Sequence, residues 1–213
     1  MALLFFDTET SGLPKRRGRA FDYSRLENFD GARLVEICWI ITDKTGIILE
    51  NKSFLVKPQG FEISAEVSNI HGILHSEALS QGVPIKDILT IFQLHVEKHA
   101  VRKLIAHNIE FDINILLSEI YRDSSENLFI PFLKQITQKC TMKASKNICK
   151  IKGRYSDYKY PSLKELYEFL FKTPMEIRHR AVYDTTKCME CYLRLVFLEK
   201  ENKRKLKDAK KEN

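Results

Sequence analysis

The chain opens with an uninterrupted apolar run, "ALLFF", that leads directly into Asp7 and Glu9. A run of bulky apolar residues without a helix-capping residue predicts a buried strand at the centre of a sheet. Residues two apart on a strand project to the same side, so this strand carries two carboxylates on one face. Unpaired carboxylates raise each other's proton affinity, and a divalent cation reverses that cost. A solvated strand end is the alternative, because D-x-E pairs are common by chance.

Three further segments predict strands, and the regions between them predict helices. "RLVEICWIITD" and "IILENKSFLVKP" read as a second and third strand joined by a "KTG" turn, which suggests an antiparallel meander with the first. "RKLIAHN" predicts a short fourth strand. Helices are predicted from Ile85 to about His99, over "FDINILLSEIYR" and "SLKELYEFLF", and from about Val182 to about Lys200. Strands interleaved with helices in this order indicate an α/β fold with a mixed sheet.

The positive charge of the chain is confined to two places. The net charge is +7 over 213 residues, of which "KRRGR" at 15–19 contributes +4 and the stretch 199–213 contributes +3. We therefore predict a domain over residues 1–198 and a charged tail over 199–213. The basic loop lies in a long connection, residues 14–33, and such connections are more often functional than structural. Phosphates or another anionic partner are the expected contacts of both basic segments.

Cysteine content and the apolar runs indicate where the protein works. Five cysteines in a chain of this length favour free thiols in a reducing compartment over a disulfide framework. The N-terminal run is too short and lacks the basic leader of a secretory signal. No stretch is long enough to span a bilayer. We expect a soluble intracellular protein that is not secreted, cytoplasmic or, in a eukaryotic host, nuclear.

Two more acids fall where helices meet the predicted sheet. Asp112 opens a helix directly after a strand, and it could equally be a first-turn acid that complements the helix dipole. Asp184 shares one narrow helix face with Cys188 and Cys191, together with two leucines further on. That face is apolar, so Asp184 points inward, which is costly unless it is paired or binds a metal. The same spacing assigns the two cysteines to the core rather than to a zinc site.

His179 lies five residues before Asp184, where a short loop could bring an imidazole over the acids. A neutral imidazole near pH 7 is a suitable base for a water molecule. A surface or core histidine is the ordinary alternative.

Taken together, "FDTETSGL", "HNIEFD" and "HRAVYD" resemble, in this order, the three motifs of the DEDDh (DnaQ-like) exonuclease superfamily. That superfamily includes the proofreading epsilon subunit of DNA polymerase III, RNase T and the three-prime repair exonucleases. The resemblance extends over about residues 3 to 197, includes "IHGI", "CTMKASK" and "YPSLKELYEFL", and is nearest to the epsilon-like members. It implies a ribonuclease-H-like fold and a 3′→5′ exonuclease.

The resemblance also implies two Mg²⁺ ions, for which Mn²⁺ often substitutes. Asp7 would bridge both ions, Glu9 and Asp184 would complete one site, and Asp112 would help to hold the second. His179 would accept a proton from the attacking water. Nucleoside 5′-monophosphates would then leave from the 3′ end, as in other two-metal nucleases.

Less specific motif positions suggest where the substrate lies. By resemblance, Thr10 and Leu13 follow the metal-binding strand where the terminal nucleotide sits, although Leu13 is as readily an ordinary turn residue. His107 and Asn108 either line the pocket or brace the strand end. The basic loop with Lys15, Arg16 and Arg17 is expected to follow the phosphates, and a solvated loop or a localisation signal is its alternative.

DNA 3′ ends are the expected partner, with a DNA polymerase as a possible second one. An exoribonuclease, or a non-catalytic module that binds a polymerase, are the competing functions. The five expected catalytic residues are present, which argues against the module.

Overall fold

The first strand occupies the centre of a five-stranded mixed sheet. The computed structural model describes residues 1–15, 20–124, 127–154 and 157–209. The strands are β1 (Ala2–Thr10), β2 (Leu34–Thr42), β3 (Ile48–Leu55), β4 (Val101–Ala106) and β5 (Thr137–Cys140), in the order β3-β2-β1-β4-β5. β1, β2 and β3 pair antiparallel, whereas β1, β4 and β5 pair parallel. The predicted meander and mixed sheet are therefore confirmed.

Eight α-helices lie within the described residues and flank the sheet. They are α1 (Ala65–His71), α2 (His75–Gln81), α3 (Ile85–Lys98), α4 (Ile109–Asp123), α5 (Phe129–Gln135), α6 (Thr141–Cys149), α7 (Leu163–Phe171) and α8 (Ala181–Ala209). A short 3₁₀ turn, Leu26–Asn28, lies in the long connection between β1 and β2. Among the helices of the described residues, none is both long and apolar enough to cross a membrane.

The alternation of side chains along β1 divides the core between two layers of helices. Leu4 and Phe6 belong to the larger apolar cluster, which contains the buried faces of α3 and α4. Leu3 and Phe5 belong to a second cluster, which α8 covers with Cys188 and Tyr192. Both faces of β1 are therefore buried before the strand reaches its carboxylates.

The last helix differs from its prediction in length and in packing. Cys188 packs on the sheet as expected, but Cys191 packs against α7, so the apolar stripe is shared between two neighbours. The helix also continues to Ala209 rather than ending near Lys200. Ion pairs four residues apart support its charged extension, with 2.6 Å between Lys203 and Glu199 and 3.9 Å between Arg204 and Asp208. The boundary of the charged tail stays a prediction.

Phe92 lies between Trp39 and Phe129 in the larger apolar cluster. Its ring is fully buried, 5.2 Å from Trp39 and 6.2 Å from Phe129 between centroids. We expect Phe92→Ala to lower the free energy of unfolding by about 3–5 kcal/mol, because it removes a buried ring and leaves a cavity. Leu94→Ala, on the exposed side of the same helix, is the control and should change stability little. Urea denaturation of both variants measures the difference, and equal losses would contradict this core assignment.

Candidate active site

Three carboxylates meet where β1 ends and α8 begins. Asp7 and Glu9 project from the face of β1 that α8 covers, and Asp184 lies in the first turn of α8. Oxygen atoms of these three side chains all lie within 4.8 Å of one another. The predicted convergence of Asp7, Glu9 and Asp184 is therefore present in the structure.

Asp112 approaches the same strand end from the other side of the sheet. It lies in the first turn of α4, is almost completely buried, and accepts two hydrogen bonds on Oδ1. The donors are the backbone N–H of Thr8, at 3.1 Å, and the Thr8 hydroxyl, at 2.8 Å. Asp112 lies outside the three-residue oxygen cluster, but its charge acts on Asp7. Thr8 thus ties the fourth acid to the strand that carries the first two.

Burial and mutual repulsion raise the proton affinity of all four acids. Burial, followed by the charge of Asp184, raises the pKa of Glu9 to about 8. Burial raises the pKa of Asp112 to about 7, against the opposing effect of the Thr8 hydrogen bonds. The pKa of Asp7 lies well above its ordinary value because of burial and then the nearby carboxylates, and burial also raises the pKa of Asp184. Added positive charge, a proton or a cation, would therefore stabilise the cluster.

His179 lies on the segment that leads into α8 and faces the acids across a cleft of about 270 Å³. The cleft is also lined by Asp7, Asp184 and His107. The side chain of His179 is exposed, and its backbone adopts a left-handed conformation with φ of 43°. The charge of His179 opposes the rise in the pKa of Asp184, which places the imidazole within electrostatic reach of the cluster.

His107 and Asn108 form the wall at the end of β4. Burial lowers the pKa of His107 to about 4, so the ring is neutral at physiological pH. Its Nε2 lies 3.1 Å from the carbonyl of Pro161 and its Nδ1 lies 2.9 Å from the hydroxyl of Thr141. Because a carbonyl only accepts, Nε2 carries the proton and Nδ1 accepts from Thr141. Asn108 is exposed in a left-handed conformation, with φ of 72°, and its side chain makes no capping bond to α4.

The residues at and after the end of β1 differ in burial: Thr10 is buried, whereas Leu13 and Lys15 are exposed. Thr10 is buried, and its hydroxyl donates to the carbonyl of Gly12 at 2.6 Å, so it shapes the turn. Leu13 is 81% exposed. Lys15 is exposed, and its backbone N–H bonds to the carbonyl of Asn28 at 2.8 Å. Arg16 and Arg17 lie outside the described residues.

An ion pair between Glu36 and Arg180, which the sequence motifs did not indicate, lies next to Glu9. Glu36 on β2 lies directly opposite Glu9 and is 2% exposed. Arg180 donates to Glu36 through Nη2 at 2.7 Å and through Nε at 3.1 Å, and the N–H of Ala181 donates to it at 2.8 Å. The available signal was a single charged residue within "LVEICWIIT", a strand whose nine residues are all buried.

A known family accounts for this geometry. The RNase_T family model, described as "Exonuclease", matches residues 4–192, which is most of the chain. The protein belongs to this exonuclease family. No curated protein matches the chain significantly.

Solved exonuclease I structures share the fold. E. coli exonuclease I in complex with a dT13 oligonucleotide matches with a TM-score of 0.69 and 16% identity, over 98% of this chain and 43% of that one. Exonuclease I from Methylocaldum szegediense matches with a TM-score of 0.60 and 18% identity, over 91% and 40% of the two chains. The chain thus spans less than half the length of these proteins. The predicted ribonuclease-H-like fold and DEDDh superfamily are confirmed, whereas a specific similarity to the epsilon subunit is not shown.

The donor set of the cluster fits a hard divalent cation. Its members offer carboxylate oxygens, which Mg²⁺ and Mn²⁺ prefer, and no sulfur or imidazole belongs to the group. The raised pKa values of the acids indicate that positive charge at this position lowers the energy of the site.

The raised pKa values predict how metal-free stability depends on pH. Carboxyl groups with raised native pKa values stabilise the fold when protonated, and this contribution is lost as pH rises through Glu9 (about 8) and Asp112 (about 7). We therefore expect the Tm in EDTA to fall from pH 7.5 to 8.5, where His107 is neutral in the fold and, with an ordinary pKa of about 6.5, largely neutral in the unfolded chain. Glu9→Gln should flatten the decline.

Added Mn²⁺ should raise the Tm most at the high end of this range, since it binds the ionised acids. Thermal denaturation across the pH series measures both effects. A metal-free Tm that is constant or rises with pH would contradict the electrostatic description of the site.

Proposed function

We propose that the protein is a metal-dependent 3′→5′ exonuclease that hydrolyses DNA to nucleoside 5′-monophosphates. The observation that carries this proposal is the meeting of Asp7, Glu9 and Asp184 within 4.8 Å, beside a cleft that Asp7, Asp184 and His179 line. Family membership supplies the reaction class, and the order of the three motifs supports the direction of cleavage.

The four acids would hold two Mg²⁺ ions. Asp7 would bind both ions, because it lies in the oxygen cluster and its carboxylate also interacts with that of Asp112 on α4. Glu9 and Asp184 would complete the first site, and Asp112 would hold the second ion directly or through water. When bound, the ions supply positive charge to the scissile phosphate and lower the pKa of bound water.

His179 would accept the proton of the attacking water. Its side chain is exposed in the cleft, so it can reach a water molecule beside the phosphate rather than a buried partner. Its separation from the oxygen cluster supports a role in proton transfer, because it is not a member of the ligand set. The neighbouring His107 is a poorer candidate, since both of its ring nitrogens are engaged and its pKa lies near 4.

Substrate contacts are proposed at the rim of the cleft. Leu13 is exposed and would pack against the terminal base, and Asn108, exposed before α4 and without a capping bond, would contact the terminal nucleotide. Thr10 and His107 would act by holding the turn and the strand end in place, as their hydrogen bonds do here. Lys15, with Arg16 and Arg17 beyond the described residues, would follow the phosphates.

DNA is the proposed polymer because of the structural relatives. Complexes of E. coli exonuclease I with dT13 and dA16 oligonucleotides share this fold at 15–16% identity. At this identity the relatives support the choice only as a proposal, and RNA is an outcome of the test. An epsilon-like association with a polymerase stays a prediction.

The decisive experiment uses 5′-labelled single-stranded DNA, duplex DNA and RNA of one sequence. We expect stepwise shortening from the 3′ end and release of nucleoside 5′-monophosphates with Mg²⁺ or Mn²⁺, and none with EDTA. Asp7→Asn should remove the activity. Asp43→Asn should not, because Asp43 lies in the turn that follows β2, away from the acids. Shortening from the 5′ end, activity in EDTA, or preferred degradation of RNA would each overturn part of the proposal.

The role of His179 has its own test. We expect His179→Ala to lower the single-turnover rate by roughly 10²–10⁴-fold, the usual contribution of a general base. Mn²⁺ affinity, measured by calorimetry, should survive because the imidazole is not a ligand. The rate of the wild-type protein should rise with pH through the range where an imidazole titrates, and this limb should be absent from the variant. A variant that keeps both the rate and the limb would make His179 a bystander.

A further inference from the structure

Glu36 is a buried carboxylate whose partners both belong to the start of α8. It lies on β2, next to the central strand and 144 residues from Arg180 in sequence, and is 2% exposed. One of its oxygens, Oε1, accepts from Arg180 Nη2 at 2.7 Å, and the other, Oε2, accepts from the backbone N–H of Ala181 at 2.8 Å. We name Glu36, Arg180 and the Ala181 N–H the Glu36 clamp.

The clamp supplies the cap that α8 lacks locally. The carbonyl of Arg180 accepts the first backbone bonds of the helix, from Tyr183 at 2.9 Å and Asp184 at 3.0 Å. The N–H of Ala181 is therefore one of the first-turn donors that have no partner within a helix. An N-cap side chain bonds the N–H of the second or third helical residue, so the N–H of Ala181, at the first position, needs another acceptor, and a carboxylate from β2 supplies it. Its negative charge also complements the helix dipole.

The residues on either side of the clamp are those of the proposed mechanism. His179 directly precedes Arg180 and adopts the left-handed conformation, which a non-glycine residue keeps only when its surroundings fix it. Asp184 lies one turn after Ala181 on the same helix. Glu36 also faces Glu9 across the β1–β2 pair, so a displacement of the helix start relative to β2 moves His179 and Asp184 relative to Glu9.

A second buried group lies against this arrangement. His71 is 2% exposed, and its Nδ1 accepts from the N–H of Ile73 at 3.1 Å, while its Nε2 has no partner within the described residues. The charges of Glu36, Arg180 and His179 all act on its ring. Burial lowers the pKa of His71, so the neutral ring does not compete with Arg180 for Glu36.

We propose that Glu36 is a positioning residue: through Arg180 and the Ala181 N–H it fixes the start of α8, and thereby sets His179 and Asp184 against the acids of β1. The inference rests on the proposed function for the roles of those two residues. The clamp itself does not touch the substrate. The contact between β2 and the start of α8 thus positions both His179 and Asp184.

Two substitutions at Glu36 separate charge from shape. Glu36→Gln keeps the side-chain volume and an oxygen for Ala181 but loses the charge that holds Arg180. Glu36→Leu removes every acceptor and fills the space with apolar atoms, which buried ion-pair sites often tolerate, and Arg180 is exposed enough to turn to solvent. Arg178→Met is the matched control, because Arg178 is an exposed neighbour that pairs with Glu176.

The expected losses follow from displaced site residues. We expect both Glu36 variants to lower the single-turnover rate roughly 10–100-fold, as loss of outer contacts at metal sites commonly does, with Glu36→Leu the worse. Mn²⁺ affinity should fall as well, because Asp184 moves. At saturating Mn²⁺, where weaker metal binding no longer limits the rate, Glu36→Leu combined with His179→Ala should be little slower than His179→Ala alone, because the base that Glu36→Leu displaces is already absent. Arg178→Met should resemble the wild type.

A metal-free measurement makes the inference independent of activity. The Ala181 amide should exchange its hydrogen slowly in the wild-type protein in EDTA and at least tenfold faster in Glu36→Leu, with the rest of the sheet unchanged. Losses that multiply with His179→Ala, wild-type rates in both Glu36 variants, or unchanged Ala181 exchange would each overturn the clamp. A wild-type protein without nuclease activity would overturn the proposed function, and the exchange result would still decide whether the clamp exists.

Discussion

Removal of carboxylates from water at the end of one central strand is the constraint on which the rest of this structure depends. Asp7, Glu9, Asp112 and Asp184 are held where burial and mutual repulsion raise their pKa values. Such a cluster is unstable unless protons or cations are added. The surrounding layers supply the stability that the cluster lacks, since both faces of β1 are filled with bulky apolar side chains up to Phe6.

The topology of the sheet explains how acids from opposite faces reach one point. β1 and β4 run parallel, so their carboxyl ends lie at the same edge of the sheet, and α4 begins directly after β4. α8 arrives at that edge from the other face, and its first turn lies beside Glu36. Asp112 and Asp184 are each in a first helical turn, where N–H groups favour anions. The same two helix starts would favour the phosphate of a nucleic acid.

Local patterns in the sequence predicted much of this architecture. Strands β1 to β4 and helices α3, α4, α7 and α8 were predictable because apolar spacing persists over enough residues to define a period. Helices α1, α2, α5 and α6 were not predicted, since two turns show little periodicity, whereas α7, of similar length, begins with a capping box of Ser162 and Glu165. The length of α8 was underestimated because its last turns carry ion pairs instead of an apolar face.

Some residues of the candidate site were predictable from the sequence and others were not. Asp7, Glu9, Asp112, His179 and Asp184 were identified from motifs, and the structure places all five around one strand end. Thr8, Glu36 and Arg180 were missed because their partners are more than 100 residues away, and no local period reports such a contact. For Glu36 there was a physical signal, a lone charge in a wholly buried strand, which requires a partner from elsewhere in the chain.

The choice of arginine as the partner of the buried Glu36 is itself informative. Arg180 binds both oxygens of Glu36 with its Nε and Nη2 donors, a geometry that a single ammonium group cannot reproduce. It thereby neutralises the carboxylate that faces Glu9 and leaves the other four acids to exchangeable cations. A second fixed cation in the cluster would relieve the repulsion that makes metal binding favourable. The fold therefore satisfies the acid that holds the helix in place and leaves unsatisfied those that the chemistry would use.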